Sequence, residues 1–110
     1  MTWFERVIAA HTSVTEAVSH CQRMKSKRYF VWQEDGANNL MGDDRHAEGA
    51  VSGSTDLFTT WEFDPWAEEL GAALDDFGIA WSLRDVQFEE ETGFYHYTWD
   101  WEVPCGEDQL

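Results

Sequence analysis

Hydrophobic positions in this chain recur with two different periods, and the changes of period mark its elements. In residues 2–11, Trp3, Val7 and Ala10 recur at helical spacing with Phe4 and Ile8 beside them, while Glu5 and Arg6 face away. Thr2 is placed to cap that helix, and Glu5 three residues on completes a capping box. Residues 12–22 carry two patterns at once. Val14, Ala17, Val18 and Cys21 suit a helix, whereas Val18, His20 and Gln22 suit the opening of a strand. After a basic stretch, Tyr29-Phe30-Val31-Trp32 is an aromatic, β-branched run that predicts a strand, ended by the turn-forming cluster Glu34-Asp35-Gly36-Ala37-Asn38-Asn39.

Residues 38–48 read as an exposed loop centred on Gly42-Asp43-Asp44. From residue 50 to 63 the period returns to two, with Val51, Gly53, Thr55, Leu57 and Thr59 on one face and Phe58 and Thr60 on the other. This predicts a long strand, kinked or bulged near Gly53. Asp64 then offers an N-cap, Pro65 a first helical position, and Glu68 and Glu69 favourable charge at the positive end of the helix dipole. Trp66, Leu70, Ala73, Leu74 and Phe77 form that helix's buried stripe, and Gly78 supplies its left-handed stop. Two strands follow, at 79–88 and 94–103, joined by Glu89-Glu90-Glu91-Thr92-Gly93 with Gly93 where a positive φ is needed. In the last strand Tyr95, Tyr97, Trp99, Trp101 and Val103 share one face, opposed by His96, Thr98, Asp100 and Glu102.

The expected fold is therefore α+β: a small antiparallel or mixed sheet of about four strands with two helices packed on one face. The 110 residues suit a single domain, with an N-terminal helix and connector (1–28), a sheet–helix core (29–103) and an acidic tail (104–110). Seven Trp and seven Phe are enough large side chains to fill one core.

Charge narrows the partners. Asp and Glu number 22 against 7 Lys and Arg, a formal net charge of −15. Such a surface repels phosphate backbones and anionic lipid, so nucleic-acid binding by a basic face and membrane attachment are not expected. No stretch approaches the roughly 20 apolar residues of a membrane span. The opening residues lack a secretion signal's apolar run, so synthesis in the cytoplasm and two thiols, Cys21 and Cys105, are expected.

Catalytic patterns do not rise above chance. His11, His20, His46 and His96 are scattered, and His20-Cys21 is by itself a weak metal signal. Asp43-Asp44 with His46 lacks the pattern of a calcium loop. Gly49-Ala50-Val51-Ser52-Gly53 has the wrong offset for a nucleophile elbow, and no phosphate-cradling glycine loop is present. The acids Glu89, Glu90 and Glu91 sit on an expected hairpin tip, where solvation explains them. The reading is of a non-enzyme with no cofactor and no metal. The aromatic stripe of the last strand is chiefly core, with a remainder available for protein contacts.

Certain motifs go further. Tyr29-Phe30-Val31-Trp32, followed by Glu34-Asp35-Gly36-Ala37-Asn38-Asn39-Leu40-Met41-Gly42-Asp43-Asp44, resembles the aromatic strand and Asn-Asn…Asp loop of small tail proteins from long-tailed phages and prophages. Leu57-Phe58-Thr59, the acidic helix closing in Phe77-Gly78-Ile79, and the hairpin from Phe88 to His96 resemble the same family, so the likeness spans residues 29–103. The first 28 residues depart from it: Lys27-Arg28 stands where the family usually has a Pro, and the stretch 45–54 is longer than usual.

The resemblance implies a tail-terminator or tail-completion protein of the virion's head–tail joint, assembled in the host cytoplasm. It would be a hexameric ring that caps the tail tube and meets the tail-tube protein and the head–tail connector protein. DNA would pass through the lumen without specific binding, and an acidic inner wall would repel it. Ring subunits meet through two different patches. The candidates are the basic residues Arg23, Lys25, Lys27 and Arg28, and the loop residues Asn38, Asn39, Asp43, Asp44, Glu89, Glu90 and Glu91. The alternative is an acidic interaction module, or a DNA-mimic inhibitor of a host protein.

Overall fold

A computed structural model describes residues 1–35 and 49–105. The elements run α1 (Trp3–Thr12), β1 (Val18–His20), β2 (Arg28–Glu34), β3 (Ala50–Thr59), α2 (Trp66–Asp76), β4 (Ala80–Glu89) and β5 (Phe94–Pro104). The strands form a single sheet in the order β1-β2-β3-β5-β4. β1 runs parallel to β2, and every other pairing is antiparallel. The α+β class is as expected, with a fifth strand added. That strand, β1, resolves the double pattern of residues 12–22. Once Phe30 N–H donates to the Ala17 carbonyl at 2.9 Å, Val18, Ser19 and His20 fall into register with Phe30, Val31 and Trp32.

Local signals set the helix ends. The Thr2 hydroxyl accepts the Glu5 amide at 3.1 Å, and the Glu5 carboxylate accepts the Thr2 amide at 2.9 Å, which is the capping box. At the end of α2, Gly78 takes φ +73°, and the Ile79 amide reaches back 2.8 Å to the Leu74 carbonyl, satisfying a helix-end acceptor.

Both helices lie on one face of the sheet. Trp3, Val7 and Ala10 of α1 join Leu70, Ala73 and Leu74 of α2 over Phe30, Trp32, Val51, Leu57, Trp99, Trp101 and Val103. Residues 1–28 are thus part of the core, with β1 completing the sheet and α1 completing its cover. Inside that core runs a closed chain of hydrogen bonds. Trp101 Nε1–H donates to Thr55 Oγ1 at 2.9 Å, Thr55 Oγ1 lies 2.8 Å from His11 Nε2, and His11 Nδ1 lies 2.7 Å from the Val7 carbonyl. A carbonyl can only accept, so Nδ1 carries the proton, and burial disfavours a second one on Nε2, which accepts from Thr55: the imidazole is neutral.

Gly53 corrects an expectation. The β3–β5 register runs without a break from Ala50↔Pro104 to Thr59↔Tyr95, so no bulge sits there. Glycine is required because a Cβ would overlap the Trp101 ring and the Gln33 carbonyl. The irregularity lies instead in β4, where Arg84 is an extra residue between Leu83↔Trp99 and Asp85↔Thr98.

The opposite face carries a smaller cluster, Tyr29, Val31 and Phe58 with Ala17, Met24 and Phe94. The connector between β1 and β2 folds across it, with the Arg23 guanidinium 3.9 Å above the Phe58 ring. Among the described residues no helix is long and apolar enough to cross a membrane.

Candidate functional site

β4 is an edge strand, and nearly all of it is exposed. Its helix-side residues are nevertheless apolar: Trp81, Leu83, Val86 and Phe88 are 37–52% exposed. The alternation changes phase, from odd positions (81, 83) to even ones (86, 88), because Arg84 inserts at the bulge. This rank was missed at the sequence level. The phase slip across Arg84-Asp85 was the available signal.

Between this strand and α2 lies a groove of about 620 Å³, floored by Trp81, Leu83, Tyr97 and Trp99 and rimmed by Glu68 and Asp75. Gly71 admits the Trp81 ring, since a Cβ there would meet it at 2.8 Å. Asp75 fixes the indole by accepting its N–H at 2.8 Å. At the groove's mouth Phe63 is 84% exposed and holds φ +58°. A bulky residue in the left-handed region is strained, and a Phe there gains no burial in return within this chain. Trp61 beside it is also exposed.

The turn that carries Phe63 is anchored by a clasp. Arg28 Nε and Nη2 donate to the two carboxylate oxygens of buried Asp64 at 2.8 and 2.6 Å. Asp64 also accepts from Thr59 Oγ1 at 2.7 Å and from the Trp66 amide at 2.9 Å, so its side chain caps α2. Burial alone would raise the Asp64 pKa, but the bonds from Arg28, Thr59 and Trp66 outweigh it and hold the carboxyl below its ordinary value. The guanidinium is sandwiched 3.6 Å from the Trp61 ring and 3.7 Å from the Trp66 ring. Arg28, expected on a partner-facing patch, is therefore turned inward.

The other expected interface residues divide. Arg23, Lys25 and Lys27 are exposed on the connector, with Arg23 also donating to Tyr29 Oη at 3.3 Å. Glu90 and Glu91 are exposed at the hairpin tip. The registers Arg28↔Thr59, Thr59↔Tyr95 and Phe88↔Tyr95 put connector and tip at the same end of the sheet, three strand spacings apart, or about 14 Å. They are not brought into contact. Asn38, Asn39, Asp43 and Asp44 lie outside the described residues, as do the rest of the 38–48 loop and the tail beyond residue 105.

Glu89 turns to His96, at 3.2 Å from Nδ1, while Asp56 lies 2.8 Å from Nε2 and the ring stacks on Phe58. The bond to Asp56 raises the His96 pKa, burial opposes it, and the Glu89 charge adds to the rise. Thr98 Oγ1 donates to the same Asp56 oxygen at 2.9 Å. Both ring nitrogens thus face carboxylates, and the hydroxyl gives its proton to Asp56, so no proton relay to a nucleophile is assembled. The arrangement balances charge.

One group of potential metal ligands is brought together among the described residues: His20, Cys21 and Glu34, at the opposite edge of the sheet from β4. No known family model matches the chain, and no curated protein matches it either.

Proposed function

We propose that this protein is a structural assembly subunit of the tail-terminator kind, which joins copies of itself into a ring and binds no substrate. The observation that carries the reading is the apolar rank of β4 continuing into the α2 groove and out to Phe63. Monomers seldom leave a long apolar edge strand open, because it templates pairing with another chain. The motifs of residues 29–103 that resemble phage tail proteins support the same reading and supply its finer content: a ring capping the tail tube at the head connector.

The groove's occupant is the next copy of the chain. Its rim is acidic at Glu68 and Asp75, whereas the connector on the sheet's opposite face presents Arg23, Lys25 and Lys27. Two unlike patches on opposite faces make a head-to-tail contact, which closes into a ring when its rotation divides a full turn.

Light scattering over a concentration series, followed by electron microscopy with and without tail tubes, tests this. Rings of about six copies are expected, and the double variant Leu83→Asp, Val86→Asp should not form them. A wild-type chain that stays monomeric at every concentration and ignores tail tubes overturns the proposal. An acidic module that mimics DNA would then replace it.

A further inference from the structure

We propose that His20, Cys21 and Glu34 form a surface site for a divalent metal ion of the zinc class. The inference goes beyond the assembly reading and does not depend on it. In an extended strand, neighbouring residues point to opposite sides, so a Cys directly after His20 would carry its thiol away from the imidazole. Cys21 departs from that rule. It holds φ +71°, a left-handed conformation that costs a side chain like Cys about 1 kcal/mol or more. The turn is secured by its amide, which donates to the Trp32 carbonyl at 3.0 Å. As a result the thiol lies with the imidazole and the Glu34 carboxylate, and all three ligand atoms fall within 4.8 Å of one another.

The other two ligands are pre-aimed. His20 stacks on Trp32 with ring centroids 4.2 Å apart, which points Nε2 at Glu34 Oε1, 2.7 Å away. Glu34 sits at the end of β2, two residues after Trp32 and on the same face of the strand, and its side chain is mostly buried. Bonds of 2.0–2.3 Å to nitrogen, oxygen and sulfur place tetrahedral ligand atoms about 3.5 Å apart, so small side-chain rotations from the observed separations close the site. One thiolate, one imidazole and one carboxylate select zinc or cobalt over calcium or magnesium, which prefer oxygen alone. A fourth position stays open to water. On binding, the thiol loses its proton to solvent and the ion replaces the His20–Glu34 hydrogen bond.

The site would staple the short β1 edge to β2. Cobalt(II) is the direct probe, because a Co–thiolate bond gives a near-ultraviolet charge-transfer band that carboxylates and imidazoles do not. The full chain, reduced and metal-free, should show that band with one equivalent of cobalt, and zinc should displace it. Cys105→Ser should keep the band. Cys21→Ser should abolish it, and Glu34→Gln should weaken cobalt binding at least tenfold. Zinc should raise the melting temperature of the wild type and leave Cys21→Ser unchanged. A band that survives in Cys21→Ser, or no band at millimolar cobalt in the reduced wild type, overturns the proposal. Neither readout depends on ring formation, so failure here leaves the assembly question where it stood.

Discussion

His11 ties helix α1 to one face of the sheet, His96 ties strands together on the other, and the two imidazoles are shifted in opposite directions. Under the helices, His11 is fully buried between the Val7 carbonyl and the Thr55 hydroxyl, and burial pushes its pKa down to about 4. On the open face, His96 lies between Asp56 and Glu89, and its pKa is raised. The difference lies in what each face can pair. Around His11 the covered face offers only a carbonyl and a hydroxyl, so a charge on the ring would be uncompensated. A face open to water can hold carboxylates, so it can hold a cation between them. The first site therefore derives its stability from neutral closure and packing, the second from weak, screened charge.

The largest expected effect falls on the covered face. Gly53→Val would drive a side chain into the Trp101 ring and the Gln33 carbonyl, and the latter cannot yield without opening the β2–β3 ladder. Denaturant unfolding should show a loss of about 4 kcal/mol or more. Next comes Asp64→Ala, which leaves Arg28 unpaired between two indoles and strips the cap from α2. About 3 kcal/mol should be lost by the same measurement.

The histidines themselves give a pair of pH tests of opposite sign. His11 has a folded pKa near 4 against an unfolded value near 6.5, so its contribution is complete above pH 6.5 and is lost as pH falls towards 4. The loss is on the order of 3 kcal/mol, and a His11→Gln variant should lack that slope. His96, with its pKa raised, contributes fully below about pH 6.5 and loses that contribution as pH rises through its folded pKa. Being partly solvated it should give under about 1 kcal/mol, abolished in His96→Gln. Imidazole resonances followed by NMR should titrate below the ordinary value for His11 and above it for His96. A shared midpoint would erase the contrast between the faces.

The smallest effect on stability should come from β4. Leu83→Ser is expected to shift unfolding by no more than about 0.5 kcal/mol while weakening self-association, since its side chain is half in solvent already.

Features written in a few consecutive residues were legible beforehand. Thr2 with Glu5, Asp64 with Pro65, Gly78 and Gly93 each act through the backbone within a turn or two of their own position, and each appears in the structure. β1 was legible only as one of two readings of residues 12–22, because a three-residue strand has no period of its own and exists through its parallel partner. Gly53 was read as a local break because in sequence a glycine inside a strand looks like one; its cause, Trp101, lies 48 residues away by the numbering. The Arg28–Asp64 clasp spans 36 residues, and nothing near either residue announces it. The β4 surface was half legible. Residues 79–88 were read as a strand, but their edge position and exposure are tertiary facts.

The β2–β3 pairing has a consequence for how such a chain can change over time. Seven cross-strand pairs, from Arg28↔Thr59 to Glu34↔Gly53, fix the two strands, and the clasp to Asp64 seals their outer end. Whatever joins Glu34 to Ala50 is thereby relieved of any duty to set the register. Closure entropy grows only with the logarithm of length, so doubling that connection would cost about 0.6 kcal/mol. Insertions and deletions there should be nearly invisible to selection for folding, leaving its length and composition free to vary.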